Sequence, residues 1–183
     1  MNPPKSAKVN AEDALAQLDH DIEMRVSAIR ANHPDWLCRM GCDSCCRRLA
    51  EIPTLTAAEW QRLKTGLEAL PASLFATVSQ NISSMARQTA RPLVCPLLDQ
   101  GAGACLVYDH RPAACRTYGF YVQRDKGLYC QTIEAHVAAG DWHTVVWGNQ
   151  DSIDRRLAGL GETKALTEWF AALVIHDVPD ELG

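Results

Sequence analysis

Four cysteines within nine residues constrain this chain more than any other feature. They lie in the segment CRMGCDSCC, residues 38–46, and four more cysteines follow downstream. The full set is Cys38, Cys42, Cys45, Cys46, Cys95, Cys105, Cys115 and Cys130. Thiols this close together can form disulfides, bind a metal or cycle as a redox pair. The rest of the sequence favours some of these alternatives over others.

Length and composition disfavour a disulfide scaffold. The chain has 183 residues, of which 47% are hydrophobic, so it can bury a core without covalent staples. The N-terminus has no apolar leader segment, and no apolar run approaches the ~20 residues of a membrane helix. We therefore expect a cytoplasmic protein without a membrane partner, where clustered cysteines more often bind metal or do redox chemistry. The formal charge of −4 gives no basic footprint for nucleic acid.

Apolar residues spaced by three and four predict a mainly α fold, a single helical domain over 1–183. Asn10 can cap the first helix, and Thr56 with Glu59 forms a capping box for the second. Pro71 stands at the start of a third helix, whose inner face includes Leu74 and which is expected to end at Arg91-Pro92. The flanking helices are predicted over 11–32 and 151–175, and the cysteine-rich metal-binding core over about 36–130.

The central region has a different pattern. Short β-prone runs flank Gln100-Gly-Ala-Gly and predict a small β-ribbon between residues 93 and 110. Residues 112–140 are expected to hold one short turn of helix and otherwise irregular chain. The cysteines avoid both terminal helical stretches, so the loops present the candidate ligands.

The spacing of the first cysteines suits metal ligation. Cys42-Asp-Ser-Cys45 has turn-forming residues between two thiols, which is the form of a metal knuckle. Adjacent thiols at Cys45 and Cys46 are expected to diverge, with one directed to the local site and the other to a second site or a structural role. Eight cysteines permit two four-thiolate sites, or one site with spare thiols.

The two cysteine-rich segments together resemble a known family. The start CRMGCDSCC is followed by CPLLDQGAGACLVYDHRPAACRTYG, residues 95–119, in the same order as in YkgJ-type cysteine-cluster proteins. These are described as zinc- or iron-chelating domains. The resemblance covers roughly residues 36–130 and implies metal chelation, but it implies no substrate.

All-cysteine ligation suits both zinc and iron–sulfur clusters. A second Cys-x2-Cys, as in simple zinc fingers, is missing downstream. Cys38-x3-Cys42-x2-Cys45 is similar to the three-cysteine cradle of radical-SAM enzymes, although this chain has too few strand signals for their barrel. We therefore favour an iron–sulfur cluster over zinc, in a metal-binding protein with an electron-transfer role.

Three other functions stay open. The first is an oxidoreductase-type enzyme that uses an open cluster position to modify a protein or small molecule. The second is a zinc-stapled module that docks a protein partner. The third is a dithiol–disulfide pair, which lacks the βαβ setting typical of Cys-x-x-Cys redox motifs.

Several neighbouring residues are candidates to support the centre. Four thiolates around a divalent ion leave negative charge, which nearby cations can offset. Arg111 and Arg116 are the predicted cofactor-binding residues, and His110 is the histidine best placed to complete a mixed site. Aromatic residues after Cys115 are expected to shield the site from water. The arginines near cysteines also include Arg39, Arg47 and Arg48, and the aromatics are Tyr118, Phe120 and Tyr121.

Overall fold

The computed structural model describes residues 10–176, with side chains described up to residue 173. Its helices are α1 (Ala11–Asn32), α2 (Ala57–Glu68), α3 (Ala72–Met85), α4 (Ala113–Thr117), α5 (Gln131–Ala139), α6 (Gln150–Leu157) and α7 (Leu166–His176). Its strands are β1 (Thr54–Thr56), β2 (Leu98–Asp99), β3 (Ala104–Cys105), β4 (Tyr121–Gln123), β5 (Lys126–Leu128), β6 (Gly148–Asn149) and β7 (Thr163–Ala165). The prediction of a mainly α fold with small β elements is confirmed.

The ends of helix α1 follow the sequence signals. The side-chain oxygen of Asn10 accepts the backbone N–H of Asp13 at 2.7 Å, which satisfies one free donor of the first turn. At the other end, the N–H of His33 donates to the carbonyl of Ile29 at 2.9 Å. The buried face carries Leu15, Leu18, Ile22, Val26 and Ile29, which follow the spacing by three and four from which the helices were predicted.

Helices α2 and α3 also begin where expected. Thr56 and Glu59 form the complete capping box of α2, and Pro71 directly precedes α3. Two details of α3 were predicted wrongly. Leu74 is 37% exposed rather than buried, because the face that packs inward begins one turn later. The helix also ends at Met85, six residues before Arg91.

In the described part of the chain, three small sheets tie distant segments together. Strands β2 and β3 form the predicted ribbon, pairing antiparallel with Leu98 opposite Cys105. Strand β1 pairs antiparallel with β7 across more than one hundred residues, a contact that the sequence did not indicate. Strand β4 pairs with β5 and, in parallel, with β6, and α5 follows, so the region predicted to be largely irregular is mostly ordered.

The buried residues that the structure describes form two hydrophobic clusters. The first packs α1 against Trp36, Phe120, Trp142 and the start of α5. The second joins α2, α3 and α7 around Leu63. In the described part of the chain, no helix is both long and apolar enough to cross a bilayer. The single-domain assignment to residues 1–183 stays a prediction.

Candidate metal centre

Four separate segments carry the cysteines. The loop between α1 and β1 holds the first four, the ribbon region holds Cys95 and Cys105, helix α4 holds Cys115, and Cys130 caps the start of α5. All eight are free thiols. Cys42 and Cys115 are exposed, and the other six are partly buried. Cys105 and Cys115 thus lie in regular elements, although loops were expected to present the ligands.

Backbone pairing brings Cys46 beside the ribbon. The N–H of Cys95 donates to the carbonyl of Cys46 at 2.7 Å, and a β-bridge between Leu49 and Leu93 holds the same two segments together. The N–H of Leu98, which pairs with Cys105 across the ribbon, donates to the carbonyl of Cys95 at 3.2 Å. Cys46, Cys95 and Cys105 are therefore near neighbours although they are far apart in the sequence.

Cys38 packs against the segment that follows α4. Its sulfur lies 3.6 Å from the carbonyl oxygen of Tyr118, to which the thiol can donate. A Cβ built on Gly119 would lie 2.9 Å from the same sulfur, so only glycine fits without displacement. The N–H of Gly119 donates to the carbonyl of Leu128 at 2.7 Å, which holds Cys38 close to the strand leading to Cys130.

The prediction that the adjacent thiols of Cys45 and Cys46 diverge is wrong. Their sulfur atoms lie 4.0 Å apart. Turn hydrogen bonds from the N–H of Arg47 to the carbonyl of Asp43, and from that of Arg48 to Cys45, curl the backbone here. Side chains in such a turn are not held on opposite faces as they are in a strand.

Burial and mutual proximity favour the neutral thiols. Burial, and then the charges of Cys42 and Cys45, raise the pKa of Cys38 to about 12. The pKa of Cys45 is also raised, first by its hydrogen bond with Cys46 and then by burial. The hydrogen bond with Cys45 lowers the pKa of Cys46. A hydrogen bond with Cys95 and burial have the larger combined effect, and the pKa of Cys46 is raised to about 12.

Cys115 completes the group. Burial, and then the thiols of Cys105, Cys45 and Cys46, raise the pKa of Cys115 to about 12. The residue as a whole is solvent-exposed, so the neighbouring thiols contribute more to this shift than burial does. Cys115 therefore lies with the ribbon cysteines rather than apart from them.

Two arginines lie close enough to favour thiolates. Arg111 acts to lower the pKa of Cys105 and of Cys115, against the larger effect of burial. Its guanidinium is fixed 3.5 Å from the ring centroid of Tyr108. Arg30 acts likewise on the pKa of Cys38 and donates to that residue's carbonyl at 3.2 Å. Arg30 was not predicted, because it belongs to α1 and no spacing links it to the cysteines.

Arg116 braces the backbone beside the thiols. It donates to the carbonyl of Arg111 at 3.0 Å and to that of Asp109, and it lies 3.5 Å from the carboxylate of Asp19 on α1. Arg62 of α2 donates to the same carbonyl of Arg111 at 2.7 Å and pairs with Asp19. These contacts anchor the approach to α4 and thereby the position of its cysteine.

The remaining candidates have other contacts. Arg47 pairs with Asp43 at 2.6 Å, and Arg48 donates to the side chain of Gln131 at 3.2 Å. His110 packs on α2, where a Cβ on Gly66 would come within 2.6 Å of its ring.

The predicted aromatic shield is divided between the core and the site. Phe120 stacks on Trp36 with ring centroids 5.8 Å apart and belongs to the first hydrophobic cluster, as does Tyr121. Tyr118 borders the thiols. Burial, and then the charges of Cys130, Cys45 and Cys38, raise the pKa of its phenol to about 12.

The thiols are grouped but not closed around a point. Among residues 10–176, no three Cys, His, Asp or Glu side chains converge tightly enough to form a finished metal site. Metal binding at these thiols would therefore have to draw the sulfur atoms together. Such closure is expected for a site whose ligands come from separate segments, since metal binding and local folding are coupled.

A helical scaffold that gathers eight free thiols from four segments defines a cysteine-cluster protein. The CxxCxxCC family model, described as a zinc- or iron-chelating domain, matches residues 37–138. This is more than half of the chain, which therefore belongs to that family. The resemblance seen in the sequence is confirmed, and family membership indicates a cluster that chelates zinc or iron. Comparisons with curated proteins and with solved structures gave no significant match.

Proposed function

We propose that the eight cysteines bind metal as two adjoining groups of four. The first thiol set is Cys38, Cys42, Cys45 and Cys130. The second thiol set is Cys46, Cys95, Cys105 and Cys115. This division rests on one observation, namely that the adjacent cysteines Cys45 and Cys46 have different neighbouring thiols.

The second thiol set is supported by backbone contacts. Cys46 is hydrogen-bonded through its carbonyl to Cys95, and the ribbon turn brings Cys105 to the same place. Among the surrounding thiols, that of Cys105 has the largest electrostatic effect on the pKa of Cys115. These contacts join positions that are up to 69 residues apart, so chance proximity within one loop does not explain them.

The first thiol set is supported by the packing of Cys38. Its strongest charged neighbours are the thiols of Cys42 and Cys45, and Cys130 also acts on it. The hydrogen bond from the N–H of Gly119 to the carbonyl of Leu128 holds Cys38 close to the strand that leads to Cys130. Cys45 also acts on Cys105 and Cys115, so the two sets adjoin at the contact between positions 45 and 46.

The donor chemistry fits zinc or an iron–sulfur cluster. Both prefer thiolate sulfur, and the carboxylate of Asp43, which lies between Cys42 and Cys45 in the sequence, is already paired with Arg47. A bound centre would supply the positive charge that crowded, partly buried thiols need in order to ionise. Arg30 and Arg111 would offset the negative charge that four thiolates leave on each centre.

We favour an iron–sulfur centre that transfers electrons. The spacing of Cys38, Cys42 and Cys45 supports this, because three cysteines so spaced can hold one cluster. Each set also has one exposed member, Cys42 or Cys115. A centre at the surface is accessible to an electron donor or acceptor.

A structural zinc site is the second candidate, favoured by the spacing within the first thiol set. Cys42-Asp-Ser-Cys45 is a Cys-x2-Cys knuckle with turn-forming residues between its thiols, a form that structural zinc sites commonly use. In this alternative the metal holds the cysteine segments in place and carries no electrons.

Elemental analysis of anaerobically purified protein, with its visible spectrum, tests the proposal. We expect iron together with acid-labile sulfide, and visible absorption that bleaches on reduction. A colourless protein with stoichiometric zinc would replace the electron-transfer function by the structural one. Protein with neither metal, also after reconstitution with each, would refute metal binding by the two sets.

A further inference from the structure

A small cavity lies beside the first thiol set but belongs to neither set. Its volume is about 250 Å³, below the ~300 Å³ at which pockets for drug-sized ligands begin. The residues of its wall used below are Ala114, Tyr118, Gln123, Leu128, Gln150 and Asp154. The cavity thus lies between α4, the β4–β5 hairpin and α6.

One side chain of this wall has an unsatisfied acceptor. Gln150 is only 7% exposed, and its Nε2 donates to the carboxylate of Asp154 at 2.8 Å. Its Oε1 is buried and accepts no hydrogen bond from any residue in the range 10–176. The carboxylate fixes this orientation of the amide, because the flipped amide would place oxygen against oxygen. Buried acceptors are nearly always paired, so this one calls for a donor.

The second polar group of the wall is the carboxylate of Asp154. Asp154 also accepts from the Nε2 of Gln123 at 2.9 Å, so the two amides point their hydrogens at it. Within the described residues, no lysine or arginine forms an ion pair with Asp154. Its neighbour Asp151, by contrast, lies 3.9 Å from Arg124. The polar end of the cavity therefore presents acceptors and negative charge.

The rest of the wall limits what can bind there. Ala114 and Leu128 supply apolar surface, which suits a short hydrocarbon body. A hard divalent cation would need several oxygen ligands, and this cavity offers one carboxylate. A primary ammonium group carries three donors on a compact charge, which matches one amide oxygen and one carboxylate.

We propose that this cavity binds a small primary aliphatic amine in its ammonium form. The ammonium group donates to Oε1 of Gln150 and to the carboxylate of Asp154, and the carbon chain lies along Leu128 and Ala114. Tyr118 separates the amine from the first thiol set. The proposal does not depend on the metal, so its failure and that of the proposed function are distinguishable.

Titration calorimetry on the full-length protein as purified tests this directly. The probes are n-butylammonium and n-butyrate, which share a hydrocarbon body and differ in the sign of the head-group charge. We expect saturable binding of n-butylammonium and no binding of n-butyrate. Gln150→Leu and Asp154→Asn should each weaken n-butylammonium binding about tenfold or more, while Asp151→Asn, on the same helix, serves as the matched control and should weaken it less than twofold.

A second probe distinguishes between two possible sources of the amine, a lysine side chain and a small metabolite. Nα-acetyl-lysine methylamide presents the same ammonium on a backbone, and its competition with n-butylammonium would identify a lysine side chain as the natural ligand. Binding of the simple amine alone would identify a small metabolite. Equal binding of both n-butyl probes, no binding of n-butylammonium, or a crystal structure grown with n-butylammonium that shows only water at Gln150 would overturn the proposal. Far-ultraviolet circular dichroism confirms that each variant is folded.

Discussion

The Oε1 atom of Glu59 accepts the backbone N–H of Ala113 at 2.9 Å, so one buried carboxylate joins the starts of α2 and α4. Its Oε2 atom accepts the N–H and the hydroxyl of Thr56, each at 2.9 Å. Glu59 is 3% exposed. The capping box recognised in the sequence thus also positions the helix that carries Cys115.

Glu59→Ala should destabilise the protein by about 3 kcal/mol, because it leaves buried donors of Thr56 and Ala113 without an acceptor. Chemical denaturation monitored by circular dichroism measures this change in the free energy of unfolding. Glu68→Ala is the matched control, since Glu68 lies at the exposed end of the same helix and, within residues 10–176, pairs only with Lys64. It should cost about 0.5 kcal/mol or less. Similar costs for both variants would contradict the bridging role of Glu59.

Gly119→Ala should reduce metal content as well as stability. The new Cβ would lie 2.9 Å from the sulfur of Cys38, and the residue has a φ of +91°. Gly140→Ala is a close control, because Gly140 has a φ of +80° and a Cβ added there would meet no atom within 4 Å. Both variants should lose about 1 kcal/mol or more from backbone strain, but only Gly119→Ala should lose metal. Equal metal content in the two would show that Cys38 does not need its present position.

Arg111→Met should weaken metal binding by about ten- to a hundredfold, the usual cost of removing a group that supports the ligands. The arginine stacks on Tyr108 and favours the thiolates of Cys105 and Cys115. Competition with a chromogenic chelator measures the affinity. Arg155→Met changes an exposed arginine of α6 and should leave it unaltered. A loss that is the same in both variants would assign Arg111 no specific role.

The parts of the fold that were predictable depend on local signals. Asn10 and Thr56 cap helices through contacts within three residues, and such contacts are readable from the sequence. The β1–β7 pairing has no comparable signal, because each strand has three residues and its partner is more than one hundred positions away. Helix α5 was missed for a related reason, since Cys130 precedes it without a side-chain cap.

The chemistry of the site was predictable, but its arrangement was not. The cysteines and the family signature were evident in residues 38–46 and 95–119. The contact between Cys45 and Cys46 depends on a local turn, and the approach of Cys38 to Tyr118 depends on how α1 packs against the rest of the molecule. Arg30 illustrates the same limit, since only the tertiary structure brings it to a thiol.

Metal content of three serine variants tests the two thiol sets most directly. Cys42→Ser removes the exposed member of the first set, Cys105→Ser removes a ribbon member of the second, and the double variant removes both. With protein purified anaerobically and metal measured per chain, each single variant should keep about half of the wild-type metal and the double variant almost none. Complete loss in either single variant would contradict two separate centres. Wild-type metal content in the double variant would contradict thiolate ligation itself.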